Sequence, residues 1–246
     1  MRVFLSGQKY FGQEALRLLL AMGINVVGVA APPGNGRDGP DRLWKLASSQ
    51  GINLTPAGNL NADTLPVGVD LIVCAHSHDF IGKKTRQKTK LGAVGFHPSL
   101  LPLHRGRDAI YWAVKMGDRV TGGSVFWLND TVDGGPIAAQ DWCFIPPGAA
   151  PLSLWLRELQ PMGLRLFALV LSDLRSGTIV ALPQEEALAT WEPSVGRPPL
   201  YRPDLEMIGS PPPGFEVIRR KAAAQAAPQT RNPWVEAYAP ELYDKD

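Results

Sequence analysis

The first thirty residues constrain the fold more than any other stretch, because strand and helix patterns alternate along them. Residues 2–5 predict a strand, residues 13–22 have the apolar spacing of an amphipathic helix, and residues 24–30 are almost continuously apolar. Such an unbroken apolar run is typical of a strand that is covered on both faces. This βαβ opening predicts an α/β fold with a mostly parallel central sheet flanked by helices.

The turn at residues 7–12 links the first strand to the first helix and contains two glycines, Gly7 and Gly12. Its spacing matches neither the dinucleotide-binding fingerprint nor the P-loop. We therefore expect a structural turn, with the helix starting at about residue 13. An anion bound at the helix N-terminus is the alternative that the sequence leaves open.

Charge and cysteine content exclude several classes of function. A formal net charge of +2 over 246 residues gives no electrostatic case for binding nucleic acid or a membrane surface. No apolar run approaches the ~20 residues that a membrane-spanning helix needs, and residues 1–7 do not have the features of a signal peptide. Cys74 and Cys143 are far apart in apolar runs, which predicts free thiols in a reducing compartment and hence a cytoplasmic protein.

The composition changes at about residue 184. Residues 1–183 carry the strand and helix patterns, whereas residues 184–246 are rich in proline and too short for a second globular domain. We therefore predict an α/β domain over 1–183 and a short irregular C-terminal extension over 184–246. The extension keeps aromatic residues that argue for packing against the domain or a neighbouring subunit, so a homodimer is one arrangement to test; they are Trp191, Tyr201, Phe215, Trp234 and Tyr238.

Two potential catalytic side chains lie at the ends of predicted strands. His97 follows the apolar run at residues 91–94, and Pro98 stops that strand because proline cannot donate to a sheet ladder. Asp133 lies in a tight loop after a second predicted strand at residues 124–128. Open α/β sheets bind their ligands at the carboxyl ends of strands. A histidine and an aspartate in such positions make a plausible proton-transfer pair.

Two further histidines, His76 and His78, follow another predicted strand. Because they are two residues apart and no third ligand is evident, we predict no metal site there.

Three short motifs together carry a family resemblance. They are His-Pro-Ser-Leu-Leu-Pro at 97–102, His-Arg-Gly at 104–106 and Asp-Thr-Val-Asp-Gly-Gly-Pro at 130–136. In this order they resemble the formyltransferase family, over roughly residues 1–180. The resemblance implies a Rossmann-like formyltransferase fold and transfer of a formyl group from the cofactor 10-formyltetrahydrofolate to an amine, in one-carbon metabolism.

The resemblance also implies roles for individual residues. His97 and Asp133 match the catalytic histidine and aspartate of the family: the cationic imidazole would stabilise the oxyanion, and Asp133 would hold that charge and take the proton of the amine. Residues matching the folate-binding stretches are Ser99, Leu100, Leu101, Pro102, Asp130, Thr131 and Val132. Arg105 and Arg107 are candidates for binding an anionic group of the substrate, with a surface salt bridge as the alternative. His104 is expected at the surface.

Gly95 marks a departure from the family, because the catalytic asparagine of the family falls on this position. Loss of one oxyanion donor typically costs about 3 kcal/mol, which is on the order of a hundredfold in rate. Three explanations stay open: a backbone N–H or water replaces the amide, the acceptor supplies the donor, or the protein only binds or hydrolyses a folate. Asn129 is a conceivable stand-in.

The acceptor predicted from the sequence is a small molecule. The tRNA branch of the family carries a separate β-barrel domain, for which residues 184–246 are too short and too rich in proline. This favours a small amine, such as a nucleotide-linked amino sugar, over tRNA. The alternatives are a formyl-folate hydrolase and a ligand-binding protein with a degraded site.

Overall fold

A computed structural model describes residues 1–35, 37–77, 79–192 and 195. Among these residues, seven strands form a single sheet with the order β3-β2-β1-β4-β5-β6-β7. The five strands from β3 to β5 are parallel, and β6 and β7 are antiparallel additions at one side. The strands are β1 Arg2–Gly7, β2 Asn25–Ala31, β3 Leu54–Pro56, β4 Leu71–Ala75, β5 Ala93–His97, β6 Val120–Trp127 and β7 Ile137–Phe144.

Six α-helices and two short turns connect or cover these strands in the same part of the chain. The helices are α1 Lys9–Ala21, α2 Arg42–Ser49, α3 Lys83–Gln87, α4 Ala109–Met116, α5 Pro151–Leu154 and α6 Gln160–Arg175. A π-helical turn, Trp155–Leu159, joins α5 to α6, and a 3-10 turn spans Glu186–Leu188. The α/β architecture with a mostly parallel sheet confirms the prediction from the opening residues.

The two faces of the sheet bury different sets of side chains. On β1, Val3 and Leu5 contribute to a large core that also contains apolar residues of α1, α2 and α6. Phe4 points to the opposite face, where a smaller core includes Ile72 and side chains from loops. Successive side chains of a strand alternate between faces, so a continuously apolar strand such as β1 can be buried on both.

The helix α1 starts earlier than the sequence suggested. It begins at Lys9 rather than at about residue 13, and Gly12 already donates a helical hydrogen bond to the carbonyl of Gln8 at 3.0 Å. The N–H of Lys9 donates to both carboxylate oxygens of Asp41, at 3.0 and 2.9 Å. The carboxylate of Asp41 also caps α2 through the N–H of Leu43. The anion at this helix N-terminus is therefore a side chain of the protein itself.

Residues 178–182 form no strand of the sheet; only Leu182 makes an isolated bridge, to Ile137. The helical region that starts with α5 and ends with α6 is divided by the π-helical turn just before Pro161, whose ring nitrogen cannot donate to the preceding turn.

Several predictions fall partly or wholly outside the described residues, namely those on His78 and on the extension beyond residue 195. The assignment of 184–246 as a separate extension therefore stays a prediction. In the described part of the chain, the helices are too short or too polar to cross a membrane.

Candidate active site

His97 is the last residue of β5, where Pro98 ends the strand. It pairs with Ser124 of β6, and it is buried, with 6% of its surface exposed. Its Nε2 lies 2.7 Å from the backbone carbonyl of His104. Because a carbonyl oxygen can only accept, this hydrogen bond requires a proton on Nε2. The contact fixes the ring and turns Nδ1 towards the loop that carries Asp133.

Asp133 lies in the loop between β6 and β7, with a φ of 52°. This left-handed conformation is tolerated by aspartate better than by most residues. Its Oδ2 accepts a hydrogen bond from the N–H of Gly106 at 2.9 Å and lies 3.6 Å from Nδ1 of His97. That separation is longer than a hydrogen bond but short enough for strong attraction between the carboxylate and an imidazolium.

The predicted pair lines a cavity of about 820 Å³ at the carboxyl ends of β4 and β5. Volumes of roughly 300–1,000 Å³ are typical of sites for small molecules and cofactors. Six other residues proposed from the sequence meet there with His97; they are Gly95, Arg107, Asp130, Thr131, Val132 and Asp133. The structure therefore brings together residues that are up to 38 positions apart.

The remaining predicted folate-binding residues lie behind the cavity wall. Ser99, Leu100, Leu101 and Pro102 do not line the cavity. The hydroxyl of Ser99 donates to the carbonyl of Leu103 at 2.6 Å, and the N–H of Leu101 donates to Ser124 at 3.1 Å. These contacts fix the turn that presents the carbonyl of His104 to His97.

Arg105 is also placed away from the cavity. It is 3% exposed, and its guanidinium donates to Oε1 of Gln184 and to both carboxylate oxygens of Glu186. The hydrogen bond from Arg105 lowers the pKa of the Glu186 carboxyl, and its positive charge adds to that effect. Arg107, by contrast, is exposed and lines the cavity. Of the two predicted anion-binding arginines, only Arg107 can reach a ligand there.

Gly95 faces an apolar part of the cavity. A Cβ atom at this position would lie 3.1 Å from Cδ1 of Leu128, 3.6 Å from Cε1 of Phe126 and 3.7 Å from Cβ of Cys74. Asn129, the conceivable stand-in for the missing amide, uses its Oδ1 to accept from the N–H and hydroxyl of Thr131. Its side chain therefore stabilises the Asp133 loop.

His104 was expected at the surface, and this expectation is wrong. It is 7% exposed, with Nε2 2.8 Å from Oδ2 of Asp118 and Nδ1 3.1 Å from Oε2 of Glu192. The contact with Glu192 is an ion pair without an aligned hydrogen bond. Both ring nitrogens of His104 therefore face carboxylates. No local pattern could reveal this burial, because Glu192 is 88 residues away.

Another carboxylate of the cavity wall, Asp79, lies near β4. Its Oδ2 accepts from the hydroxyl of Ser6 at 2.6 Å, and Ser6 also contacts the hydroxyl of Ser77 at 2.6 Å. Burial, and to a lesser degree the charge of Asp79, raise the pKa of the Cys74 thiol to about 12. Cys74 is therefore a neutral, unreactive part of the wall. The described residues contain no cluster of three or more His, Cys, Asp or Glu suited to a metal ion.

Known proteins with similar sequences include formyl transferases and a 10-formyltetrahydrofolate dehydrogenase. A family model described as Formyl transferase matches residues 54–158. The chain is 35% identical over 201 residues to the mitochondrial 10-formyltetrahydrofolate dehydrogenase of Mus musculus, a match that covers 78% of this chain but only 22% of that protein. It is 29% identical over 211 residues to the methionyl-tRNA formyltransferase of Thermotoga neapolitana, covering 82% of this chain and 67% of that protein.

Among solved structures, the chain resembles the N-formyltransferase from Helicobacter canadensis, whose structure contains folinic acid and dTDP-3-aminofucose. The TM-score is 0.65 at 16% identity, with 77% of this chain and 70% of the other covered. At this identity the similarity concerns the fold.

Proposed function

Because the chain belongs to the formyl transferase family, we propose that it transfers the formyl group of 10-formyltetrahydrofolate to the amine of a small molecule. The observation that carries this proposal is the pairing of His97 with Asp133, 3.6 Å apart, in the wall of a cavity of about 820 Å³. The chain spans only 22% of the dehydrogenase that it matches, so the activity has to be argued from this cavity.

The lining of the cavity suits a folate. Apolar side chains of β6 and the following residues, Phe126 and Leu128, form one wall, and Ile81 adds to it. Polar groups come from the loop at residues 129–133. A flat heterocycle with apolar faces and polar edges is bound well by such a combination of apolar walls and a few polar groups.

The proposed reaction forms one C–N bond and breaks another. The neutral amine attacks the formyl carbon, which creates an oxyanion and an ammonium. The bond from that carbon to N10 of the folate then breaks, and N10 gains a proton while the former ammonium loses one. The products are a formamide and tetrahydrofolate.

His97 and Asp133 have complementary roles in this sequence of steps. With Nε2 bonded to the carbonyl of His104, the second proton of the imidazolium lies on Nδ1, on the side of Asp133. The positive charge stabilises the developing oxyanion. Asp133 keeps the ring charged and takes the proton that leaves the amine. Catalytic contacts commonly shorten when substrate binds, which agrees with the 3.6 Å separation found here.

A nucleotide-linked amino sugar is the acceptor class that we propose. Arg107 and Lys9 both line the cavity and would supply cations for a diphosphate. The Helicobacter canadensis N-formyltransferase was solved with a nucleotide-linked amino sugar, which supports this class. A cytoplasmic location and a homodimer remain parts of the same proposal.

The test is a formyl-transfer assay with the purified chain, 10-formyltetrahydrofolate and a panel of nucleotide-linked amino sugars. We expect release of tetrahydrofolate together with a product heavier by one formyl group, and a loss of about 10²–10⁴-fold in kcat for His97→Ala. If the variant retains the wild-type rate, the catalytic role of His97 is wrong.

A second candidate function is hydrolysis of the formyl donor, with water in place of the amine. It is favoured by the similarity to a 10-formyltetrahydrofolate dehydrogenase, a protein whose name indicates a reaction on the same formyl donor. The same assay without an amine separates the two functions: a hydrolase releases formate and tetrahydrofolate in equal amounts.

A further inference from the structure

Residues 184–192, here called the strap, run beside the loop that carries Asp133 and beside His104 and Arg105, which follow His97 in the chain. At one end, Gln184 contacts the Asp133 loop and Arg105. At the other end, the hydroxyl of Thr190 accepts from the N–H of His104 at 2.7 Å, and the carbonyl of Thr190 accepts from the N–H of Arg105 at 3.0 Å. The strap lies beyond residue 158, where the family match ends.

The side-chain amide of Gln184 makes the most direct connection. Its Nε2 donates to the carbonyl of Asp133 at 2.8 Å and to the carbonyl of Gly135 at 2.6 Å. Its Oε1 accepts from Nε and Nη2 of Arg105 at 3.1 and 2.8 Å. The orientation of the amide is fixed by this network, since the reversed amide would put donors against donors and acceptors against acceptors.

The hydrogen bonds of Gln184 stabilise an unfavourable backbone conformation at Asp133. Asp133 has a left-handed φ of 52°, a conformation that persists in a non-glycine residue only where the surroundings determine it. Gln184 holds the two carbonyls at residues 133 and 135, and the N–H of Gly106 holds the carboxylate of Asp133. Arg105, next to Gly106 in the chain, is bound by the same amide.

We infer that Gln184 is a positioning residue for the proposed reaction: it sets the placement of the Asp133 carboxylate opposite His97. The expected effect on kcat rests on the proposed function. The placement of the Asp133 carboxylate by Gln184 can be tested without any formyl-transfer activity. Arg105 takes part in the same hydrogen-bond network. It donates to Oε1 of Gln184, and it is itself bound by the carboxylate of Glu186.

The test compares Gln184→Glu with Gln87→Glu. The first change keeps the shape of the side chain and the acceptor for Arg105, but it places a carboxylate against two carbonyl oxygens. Gln87 is exposed at the end of α3, so its variant carries the same change in charge away from the site. A misplacement of about 1 Å can cost on the order of a hundredfold in rate. We therefore expect kcat to fall at least tenfold in Gln184→Glu, with little change in the KM for the formyl donor, and to stay at the wild-type value in Gln87→Glu.

An activity-independent measurement accompanies the kinetics. Amide hydrogen exchange of Gly106, followed by NMR, reports whether Asp133 still accepts its hydrogen bond, and exchange should speed up in Gln184→Glu while amides of β4 and β5 remain protected. Gln184→Ala, which removes the donors without adding charge, should give the same result if Gln184→Glu does not fold. Unchanged exchange together with kcat within twofold of wild type would overturn the inference. Faster exchange in a protein whose wild type transfers no formyl group would support the positioning role and contradict the proposed function.

Discussion

Nδ1 of His97 faces Oδ2 of Asp133 across 3.6 Å, although the two residues come from different strand ends. The other ring nitrogen, Nε2, is committed to the carbonyl of His104. Asp133 is likewise held by the N–H of Gly106. Each partner is thus fixed by a separate backbone contact, and the gap between them opens into the cavity.

Replacement of Asp133 by asparagine tests the charge in this pair. The amide keeps the size of the side chain but cannot stabilise the imidazolium or take a proton. We expect kcat to fall about 10²–10⁴-fold, with folate binding largely retained, as measured by steady-state kinetics and by calorimetric titration with tetrahydrofolate. Asp63→Asn is a suitable control, since Asp63 is exposed and does not line the cavity; an equal loss in both variants would argue against a special role for Asp133.

Gly95→Asn restores the amide that the family motif contains. Cδ1 of Leu128 would lie 3.1 Å from the new Cβ, so Leu128 must move by a few tenths of an ångström. If an oxyanion donor is missing, the new amide should raise kcat, by up to about a hundredfold. Gly95→Ala adds bulk without a donor and should not raise it. Equal loss of activity in both variants would mean that the substrate needs this space.

Arg107→Ala tests the anion-binding role that the sequence assigned to two arginines. Arg107 is exposed and lines the cavity, so its removal should raise the KM of an anionic substrate about tenfold or more, since a hydrogen bond to a charged group is worth about 1.5–3 kcal/mol. The kcat should change little. Arg37→Ala, in an exposed loop, is the matched control. A KM unchanged for both donor and acceptor would remove Arg107 from the binding site.

Because β6 runs antiparallel to β5 and ends beside Val94, the approach of Asp133 to His97 does not follow from the strand pattern. The candidate role of each residue could be predicted from the sequence, since each follows a predicted strand. The partners of these residues could not. Gln184 and Glu192 reach the site over 51 and 88 residues of sequence separation, and nothing in the local pattern of a proline-rich segment reports such contacts. The motif at residues 97–102 likewise indicates a site but does not tell which of its side chains face the cavity, and Ser99 to Pro102 are not among the lining residues.

The buried ion pair of His104 with Glu192 should matter for stability. Their side chains are 9% and 8% exposed, and removing one partner of a buried pair typically costs about 3–5 kcal/mol. Because Asp118 remains as a second partner of His104, we expect Glu192→Ala to lower the free energy of unfolding by an amount at the lower end of this range, measured by denaturant unfolding. Glu14→Ala breaks the more exposed pair with Arg17 and should cost no more than about 1 kcal/mol. Similar losses in both variants would contradict the burial of Glu192.

Cys74 gives a pH dependence whose sign follows from its raised pKa. The thiol titrates at about 12 in the folded protein, against an ordinary value of 9.0, so between these pH values the folded state binds more protons than the unfolded state. Stability should therefore fall as pH rises above 9, by about 1.4 kcal/mol per pH unit. Below pH 9, Cys74 adds no pH dependence to the stability.

The Cys74→Ala variant lacks the thiol and therefore lacks this pH dependence. The packing that it loses lowers its free energy of unfolding by the same amount at every pH. The difference in the free energy of unfolding between wild type and Cys74→Ala should thus shrink by ~2 kcal/mol between pH 8 and pH 10.5. Iodoacetamide should modify the half-buried Cys143 of the folded protein before Cys74, because the thiolate is the reactive form. A difference that stays constant over this pH range, or early alkylation of Cys74, would show that Cys74 is open to solvent. The description of the wall beside Gly95 as apolar and closed would then be wrong.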